Sequence, residues 1–145
     1  MIDGKFFRNK LVQHMEEYGY RDNLKRFGEN SIDFLGIYLT FSVGEKSPNG
    51  ERDLEIILED SGEKSDNFLE HLEKMRTRDF QKENFPPNVR RKIKRYSQYL
   101  NIGDLENPQN GTYKLNAKLK TQNENRAFFA LYNQFFRPLL VYVLK

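Results

Sequence analysis

The sequence contains no cysteine, no tryptophan and no long apolar run, and each absence excludes a class of protein. Without cysteine the chain has no disulfide, no thiolate metal site and no cysteine nucleophile. No run of about 18 apolar residues is available to span a membrane. Residues 1–5 lack the apolar core of a signal peptide. Together with the missing cysteine, this leads us to expect a cytoplasmic protein without a membrane contact.

Motifs of several common enzyme classes are missing as well. The sequence has no Walker loop, no Rossmann glycine pattern and no GxSxG elbow, so NTPase, dehydrogenase and α/β-hydrolase functions lose support. The two histidines, His14 and His71, lie far apart and do not form an HExxH motif. We therefore expect no metal ion and no cofactor.

Charge is distributed unevenly along the chain, although the formal net charge is only +3. Residues 1–50 carry seven basic and seven acidic side chains, whereas residues 51–80 carry five basic against ten acidic. Residues 81–145 carry twelve basic against four acidic, a net charge of +8. This asymmetry predicts a basic surface that meets a polyanion, and the alternative is an ordinary solvated face.

Hydrophobic periodicity predicts an α+β fold, with a mostly antiparallel sheet and helices packed on one face, in the order αββααβββ. The predicted helices cover 5–18, a segment that Ser65 or Asp66 caps, and 88–100. The predicted strands cover 32–43, 53–58, 112–120, 126–133 and 138–145. Gly103 is expected to end the last helix, and residues 107–111 are expected to form a loop.

The predicted helix 88–100 holds the densest group of cations, namely Arg90, Arg91, Lys92, Lys94 and Arg95. Val89, Ile93 and Tyr96 share one stripe that faces inward, so the cations cover the flanks and the outer surface. No acidic residue lies between 88 and 102 to offset them. Such a charge density favours phosphate contact through counterion release, and a solvated helix face is the alternative.

A second basic group belongs to the predicted strands. Alternation places Lys114, Lys118 and Lys120 on one face, Arg126 begins the next strand, and Tyr132 shares the face of Arg126. Cations on an open sheet face can hold an RNA backbone while a tyrosine ring stacks on a base. The alternative for Tyr132, and for Phe128, is a place in the core of a sheet covered on both sides.

From about residue 52 onward, the predicted order of one strand, two helices and three strands resembles the RelE/ParE superfamily of bacterial toxins, in particular its HigB-like branch. The closest part runs from NPQNG through YKLNAKLK and NRAFFALYN to RPLLVYVLK. The length fits a single domain over 1–145. The resemblance divides that domain into a RelE-like core, 51–145, and an N-terminal extension of a helix and a strand, 1–50.

The resemblance implies a metal-independent endoribonuclease of a toxin–antitoxin pair, which cleaves mRNA free or at the ribosome. In such enzymes the ribose 2′-OH attacks the adjacent phosphate, and cations stabilise the charge that develops there. On this mechanism Lys118, Lys120 and Arg126 hold the phosphate, while Tyr132 stacks on a base or takes part in proton transfer. The remaining nucleic-acid contacts would be Arg90, Arg91, Lys92, Lys94, Arg95 and Lys114.

Two other functions compete with the ribonuclease. A non-catalytic nucleic-acid-binding or phage-encoded regulatory protein would use residues 90–95 as its main contact. A protein-interaction module would instead dock its basic face on an acidic partner, such as an antitoxin or a host enzyme. The basic face of a second copy could also bind the acidic stretch 51–80, and the product would be a homodimer.

Overall fold

The computed structural model describes residues 1–60, 65–109 and 111–144. Within them a six-stranded antiparallel sheet has the strand order β1-β2-β3-β4-β6-β5. Its strands are β1 (Leu24–Arg26), β2 (Ser31–Phe34), β3 (Ile37–Val43), β4 (Arg52–Asp60), β5 (Leu100–Gln109) and β6 (Thr112–Leu119). The helices are α1 (Gly4–Glu17), α2 (Ser65–Lys74), α3 (Arg78–Asn84), α4 (Pro87–Tyr96), α5 (Glu124–Leu131) and α6 (Arg137–Val143). The predicted α+β class is confirmed.

One face of the sheet is buried and the other is open, because apolar and polar residues alternate along the central strands. In β4, Leu54, Ile56 and Leu58 are buried, whereas the residues between them are half-buried or exposed. The same alternation runs along β6, where the buried residues are Tyr113, Leu115, Ala117 and Leu119. The side chains at the intervening positions therefore share the open sheet face.

Aromatic rings connect the helices to the buried face. Phe136 contacts Phe34 of β2 and Phe41 of β3, with ring centroids 6.2 and 5.9 Å apart. Phe68 of α2 meets Tyr113 of β6 at 5.3 Å. These rings belong to a single hydrophobic cluster to which residues throughout the chain contribute. Among the residues described, no helix combines the length and the apolar character needed to cross a bilayer.

A hairpin of β2 and β3 replaces the single strand that the sequence predicted over 32–43. Phe34 pairs with Ile37, which leaves Leu35 and Gly36 as a two-residue turn. Both turn residues have positive φ, 54° and 96°, as tight turns that match the twist of two strands require. The prediction was wrong because leucine is not among the residues by which such turns are recognised.

The C-terminal segment is helical, so the strands predicted over 126–133 and 138–145 are wrong; residue 145 itself lies outside the described part. A π-helical turn (Tyr132–Phe136) joins α5 to α6. Short apolar runs do not distinguish a buried strand from a buried helix by periodicity alone. Phe128 and Phe136 flank the buried Tyr132 at steps of four residues, which is the spacing of one helix face.

Pro138 explains why this segment is not a central strand. Proline has no N–H, so it would remove a hydrogen bond from the middle of a sheet. In a helix its ring clashes with the carbonyl of the fourth preceding residue. Here Pro138 is the second residue after the π-helical turn, at which the N–H of Arg137 donates to the carbonyl of Tyr132 five residues earlier. We infer that this wider turn makes room for the proline ring.

β5 occupies the edge of the sheet where the sequence predicted the end of a helix at Gly103 and a loop over 107–111. Its pairing with β6 is irregular and contains two register shifts. Pro108 is tolerated because an edge strand has one side without pairing partners. Asn110, within the predicted loop, lies outside the described residues.

The predicted helices are present, and their ends differ from the prediction. α4 ends at Tyr96, whereas the predicted helix continued to residue 100. Residue 100 is instead the first residue of β5. Of the inner face predicted for α2, Phe68 and Leu72 are buried, Leu69 is half-buried, and Met75 is buried just after the helix ends. α3 is an additional helix that the sequence did not predict. The proposed caps of α2 are residues 65 and 66, whose side chains are not among those that the structure describes.

The order of elements is αββββαααββαα rather than αββααβββ, with a short 3₁₀ turn before β1. After β4 the chain forms three helices, two strands and the helical C-terminal segment. The chain from β4 onward therefore does not have the predicted order of one strand, two helices and three strands. The resemblance to the RelE/ParE superfamily loses the element order on which it was based, and membership stays a prediction.

Gly4, at the start of α1, lies against the backbone of β3. A Cβ atom at this position would overlap the carbonyl oxygen of Phe41 and approach Asn30 Cβ to 3.1 Å. Asn30 Nδ2 donates to the same carbonyl at 2.9 Å, so this oxygen has little freedom to move. We predict that Gly4→Ala lowers the free energy of unfolding in urea by about 1–3 kcal/mol, the usual cost of overpacking.

Gly28→Ala is the matched control, because a Cβ there meets only the Ser31 side chain at 3.7 Å and beyond. We expect it to change the free energy of unfolding by less than about 0.5 kcal/mol. Equal destabilisation by the two substitutions would contradict the close contact at Gly4.

Candidate nucleic-acid interface

α4 is a short helix with one anchored side and one charged side. It begins at Pro87, whose missing N–H needs no partner in the first turn. Ile93 is 7% exposed and anchors the helix, which packs on α3, α5 and the π-helical turn. The side chains on the outer surface, which we call the basic helix face, are Arg91, Lys92, Lys94 and Arg95, and all four are exposed.

The fifth predicted cation of this helix has a structural contact. Arg90 is half-buried, and its Nη1 donates to the carbonyl of Phe85 at 3.3 Å. This bond ties the first turn of α4 to Phe85, the residue that follows α3. Arg90 therefore supports the helix more than it extends the exposed basic surface.

Within the part of the chain that the structure describes, none of Arg91, Lys92 and Lys94 forms an ion pair. Cations in the last turn interact favourably with the helix dipole, which accounts for Lys94 and Arg95. It does not account for Arg91 and Lys92, which have no carboxylate three or four residues away in either direction. Their mutual repulsion lacks local relief and favours an external anion.

The C-terminal end of α4 adjoins three partly exposed rings, which we call the aromatic patch: Tyr96, Tyr99 and Phe129. The ring centroid of Tyr96 lies 6.1 Å from that of Tyr99 and 6.2 Å from that of Phe129. Phe129 is 37% exposed and both tyrosines are half-buried. The guanidinium of Arg95 lies 5.5 Å over the Tyr96 ring, and that of Arg126 lies 5.1 Å over Tyr99.

Two of the predicted phosphate-binding residues, Lys120 and Arg126, lie beside this patch. The N–H of Lys120 donates to the carbonyl of Tyr99 at 2.8 Å. The side chain of Asn123 caps α5 by accepting the N–H of Arg126 at 3.0 Å. Arg126 therefore stands in the first turn of a helix, not at the start of a strand as predicted.

The other two predicted lysines are paired with carboxylates on the open sheet face. Lys118 forms an ion pair with Asp53, which stands directly opposite it on β4, and this hydrogen bond raises the pKa of the lysine. Lys114 Nζ lies 3.2 Å from Glu55 and 3.8 Å from a carboxylate oxygen of Glu106. The open sheet face is therefore not the basic surface that we predicted, since the acids of β4 share it.

Tyr132 lies on the opposite side of the sheet from Lys118. It is 8% exposed, its ring centroid is 4.3 Å from that of His14, and the Arg137 guanidinium lies 5.0 Å over its face. Burial raises the pKa of its hydroxyl. Tyr132 and its neighbour Phe128 are core residues, which was the alternative interpretation. The structure does not bring the four predicted catalytic residues into one site.

A depression of about 410 Å³ on the open sheet face is unsuited to a polyanion. Its wall includes three carboxylates, those of Asp53, Glu55 and Asp104. Lys118 is the one basic residue among its lining residues. Among the residues described, no group of three or more histidine, aspartate or glutamate side chains is arranged to hold a metal ion.

The fold and the site define an α+β protein with one open sheet face and with a cluster of four exposed cations on α4 beside partly exposed aromatic rings. No protein-family model, no curated protein and no solved structure matches the chain. Its function must therefore be inferred from its own residues.

Sequence reasoning missed the aromatic patch. Tyr96 was placed in the inward stripe, Phe129 was assigned to a strand, and Tyr99 received no role. Tyr96 and Tyr99 are three residues apart at the end of a predicted helix, which was a usable signal. Arg126 and Phe129 are also three residues apart, but this spacing indicates a shared face only if the segment is known to be helical.

His14 of α1 lies behind the patch, and its ring contacts those of Tyr18, Phe128, Phe129 and Tyr132. Its Nε2 is buried and has no hydrogen-bond partner among the described residues. Burial lowers the pKa of the imidazole; the nearby Glu17 carboxylate acts in the opposite direction, and the Arg137 charge lowers it further.

We predict that His14 titrates below the ordinary histidine pKa of about 6.5 in an NMR titration, with His14→Gln identifying its signal. The unfolded chain takes up this proton near the ordinary value, and the folded protein does so only at lower pH. Protonation therefore favours unfolding, and this part of the stability is lost as pH falls below about 6.5. His14→Gln should remove that component. A midpoint at or above the ordinary value would contradict the burial of Nε2.

Proposed function

We propose that this protein binds nucleic acid without cleaving it, and that the basic helix face of α4 holds the phosphate backbone. The observation that carries the proposal is that Arg91, Lys92 and Lys94 are exposed and have no carboxylate partner in the part of the chain that is described. A cation that contacts a phosphate displaces condensed counterions, and their release favours binding.

Contacts within the protein hold the backbone beneath these side chains. Ile93 is buried, Arg90 bonds to Phe85 ahead of the helix, and the Ser97 hydroxyl donates to the carbonyl of Lys94 at 2.6 Å behind it. The cations are therefore presented on a helix that is already formed, and no existing ion pair of Arg91, Lys92 or Lys94 among the described residues has to break. Both conditions reduce the free-energy cost of association.

Cleavage is left out of the proposal for a geometric reason. The ribonuclease that the resemblance implies needs Lys118 and Tyr132 in one site, and they lie on opposite sides of the sheet. A lysine base also needs a lowered pKa, whereas the bond to Asp53 raises that of Lys118.

We predict that RNA incubated with the purified protein in EDTA stays intact, because no predicted set of reacting groups converges. Gel analysis of a labelled RNA checks this. Metal-independent cleavage that disappears in the triple variant Lys118→Gln, Lys120→Gln and Arg126→Gln would establish the ribonuclease instead.

We predict that the double variant Arg91→Gln, Lys92→Gln weakens binding of a short single-stranded RNA by on the order of ten-fold at low salt. Its plot of log affinity against log salt should be shallower by about 1.4, because each lost contact with a single strand removes about 0.7. Fluorescence anisotropy across a salt series measures both quantities, and circular dichroism confirms that the variant is folded.

The matched control is Lys114→Gln, Lys118→Gln, which removes the same charge from the open sheet face. Because carboxylates already pair with these lysines, we expect affinity to change by no more than about two-fold. Equal losses in the two double variants would show a general charge effect and refute a site on α4. A wild-type protein that binds no nucleic acid at low salt would refute the function itself and favour an acidic protein partner.

A further inference from the structure

Resting on the nucleic-acid binding proposed above, we infer that the aromatic patch stacks an unpaired base, so that the ligand is single-stranded RNA. Phe129 is the ring that receives the base, and Arg95 and Arg126 hold the phosphates on either side of it. The inference depends on three properties of the patch: the exposure of its rings, the cations around it and its continuity with the basic helix face.

Phe129 is the most accessible ring of the patch. It is one of the few large apolar side chains with substantial exposure, at 37%, although its neighbours Phe128 and Ala130 on α5 are buried. Tyr96 approaches it at an interplanar angle of 43°, so the two rings do not cover each other as parallel plates. An exposed, unstacked aromatic face is what a splayed base binds in single-stranded RNA, with a gain of about 1–3 kcal/mol per base.

Two arginines have defined positions over the tyrosine rings of the patch. Arg95 is held over the Tyr96 ring and Arg126 over the Tyr99 ring, at 5.5 and 5.1 Å. Cation–π contact restrains each guanidinium without consuming its donors, which remain available to phosphate oxygens. Neither arginine has an ion-pair partner among the residues described.

These charges determine the kind of partner that fits the patch. A second copy of the chain docking by two-fold symmetry would bring its own arginines against Arg95 and Arg126, which opposes self-association. A purely apolar partner would bury the guanidinium groups without an anion. A nucleotide satisfies both parts, since its base is flat and apolar on its faces and its phosphate is anionic.

The basic helix face leads directly to the patch. Lys92 and Tyr96 are four residues apart and therefore lie on one side of α4. The ring of Tyr99, in the turn after the helix, is 6.1 Å from that of Tyr96. Lys92 and Tyr96 are separated by about 6 Å along the helix axis. A strand whose backbone lies on the basic helix face therefore reaches the rings, whereas a duplex keeps its bases paired and stacked within the helix.

The tyrosine hydroxyls favour RNA over DNA. No hydrogen bond within the described residues engages the hydroxyl of Tyr96 or Tyr99, although both rings stand at the surface. A phenol both donates and accepts, as the ribose 2′-OH does, and that hydroxyl is the group by which a protein distinguishes RNA from DNA.

The test compares three ligands of one sequence: a short single-stranded RNA, the same RNA annealed to its complement, and the corresponding single-stranded DNA. We expect the 145-residue chain to bind the single-stranded RNA about ten-fold more tightly than either of the others. Phe129→Ala should weaken the single-stranded RNA complex about ten-fold while the salt slope and the duplex affinity stay unchanged, because no charge is removed.

Phe27→Ala is the matched control, since Phe27 is an exposed phenylalanine, at 55%, whose ring contact is with Tyr38 and not with the patch. It should leave all three affinities within about two-fold. Phe129→Trp should restore binding. Because the chain has no tryptophan, that variant also carries a single indole whose fluorescence is quenched when a base stacks on it, whereas an indole at position 27 is not quenched.

The two proposals fail in different ways. If no ligand binds at low salt, the proposed function fails. Base stacking is refuted if single-stranded and duplex RNA bind equally and Phe129→Ala behaves like Phe27→Ala. Nucleic-acid binding still stands in that case, provided that the double variant Arg91→Gln, Lys92→Gln makes the salt dependence shallower. Equal affinity for the single-stranded DNA overturns the assignment to RNA.

Discussion

The antiparallel pairing of β4 with β6 is the contact on which the rest of the structure depends. It joins residues 52–59 to residues 112–119 in eight consecutive pairs, across a stretch that contains α2, α3, α4 and β5. Closing so long a loop costs chain entropy, which grows only slowly with loop length. Burial of alternate apolar residues in both strands offsets that cost. Once the pair has formed, β5 is directed to the sheet edge, and α4 precedes it at the surface.

The same pairing determines where positive charge remains available. It places Asp53 opposite Lys118 and brings Glu55 within 3.2 Å of Lys114, so the lysines of β6 are neutralised by the acids of β4. The net +8 of residues 81–145 is therefore not spread evenly over one surface. Among the cations of this segment that have no carboxylate partner within the described part of the chain, five stand together on α4. The others are Lys82, Lys120, Arg126 and Arg137.

The helical C-terminal segment completes the site that α4 begins. Because α5 is a helix capped by Asn123, its first turn brings Arg126 over Tyr99 and its second brings Phe129 against Tyr96. In a strand, alternation would have placed Arg126 and Phe129 on opposite faces. The π-helical turn that follows accommodates Pro138 and allows the segment to continue across the buried face of the sheet.

The sequence by itself determined the elements whose residues alternate or recur clearly: β4, β6, α1, and α4 with its exposed cations between Pro87 and Tyr96. Only the tertiary structure decided that the C-terminal apolar runs are helical, that the lysines of β6 are paired and that the aromatic patch exists. The reason is that local periodicity records which side of an element is apolar. It does not record which charged or aromatic side chain, distant in sequence, the fold places opposite that side.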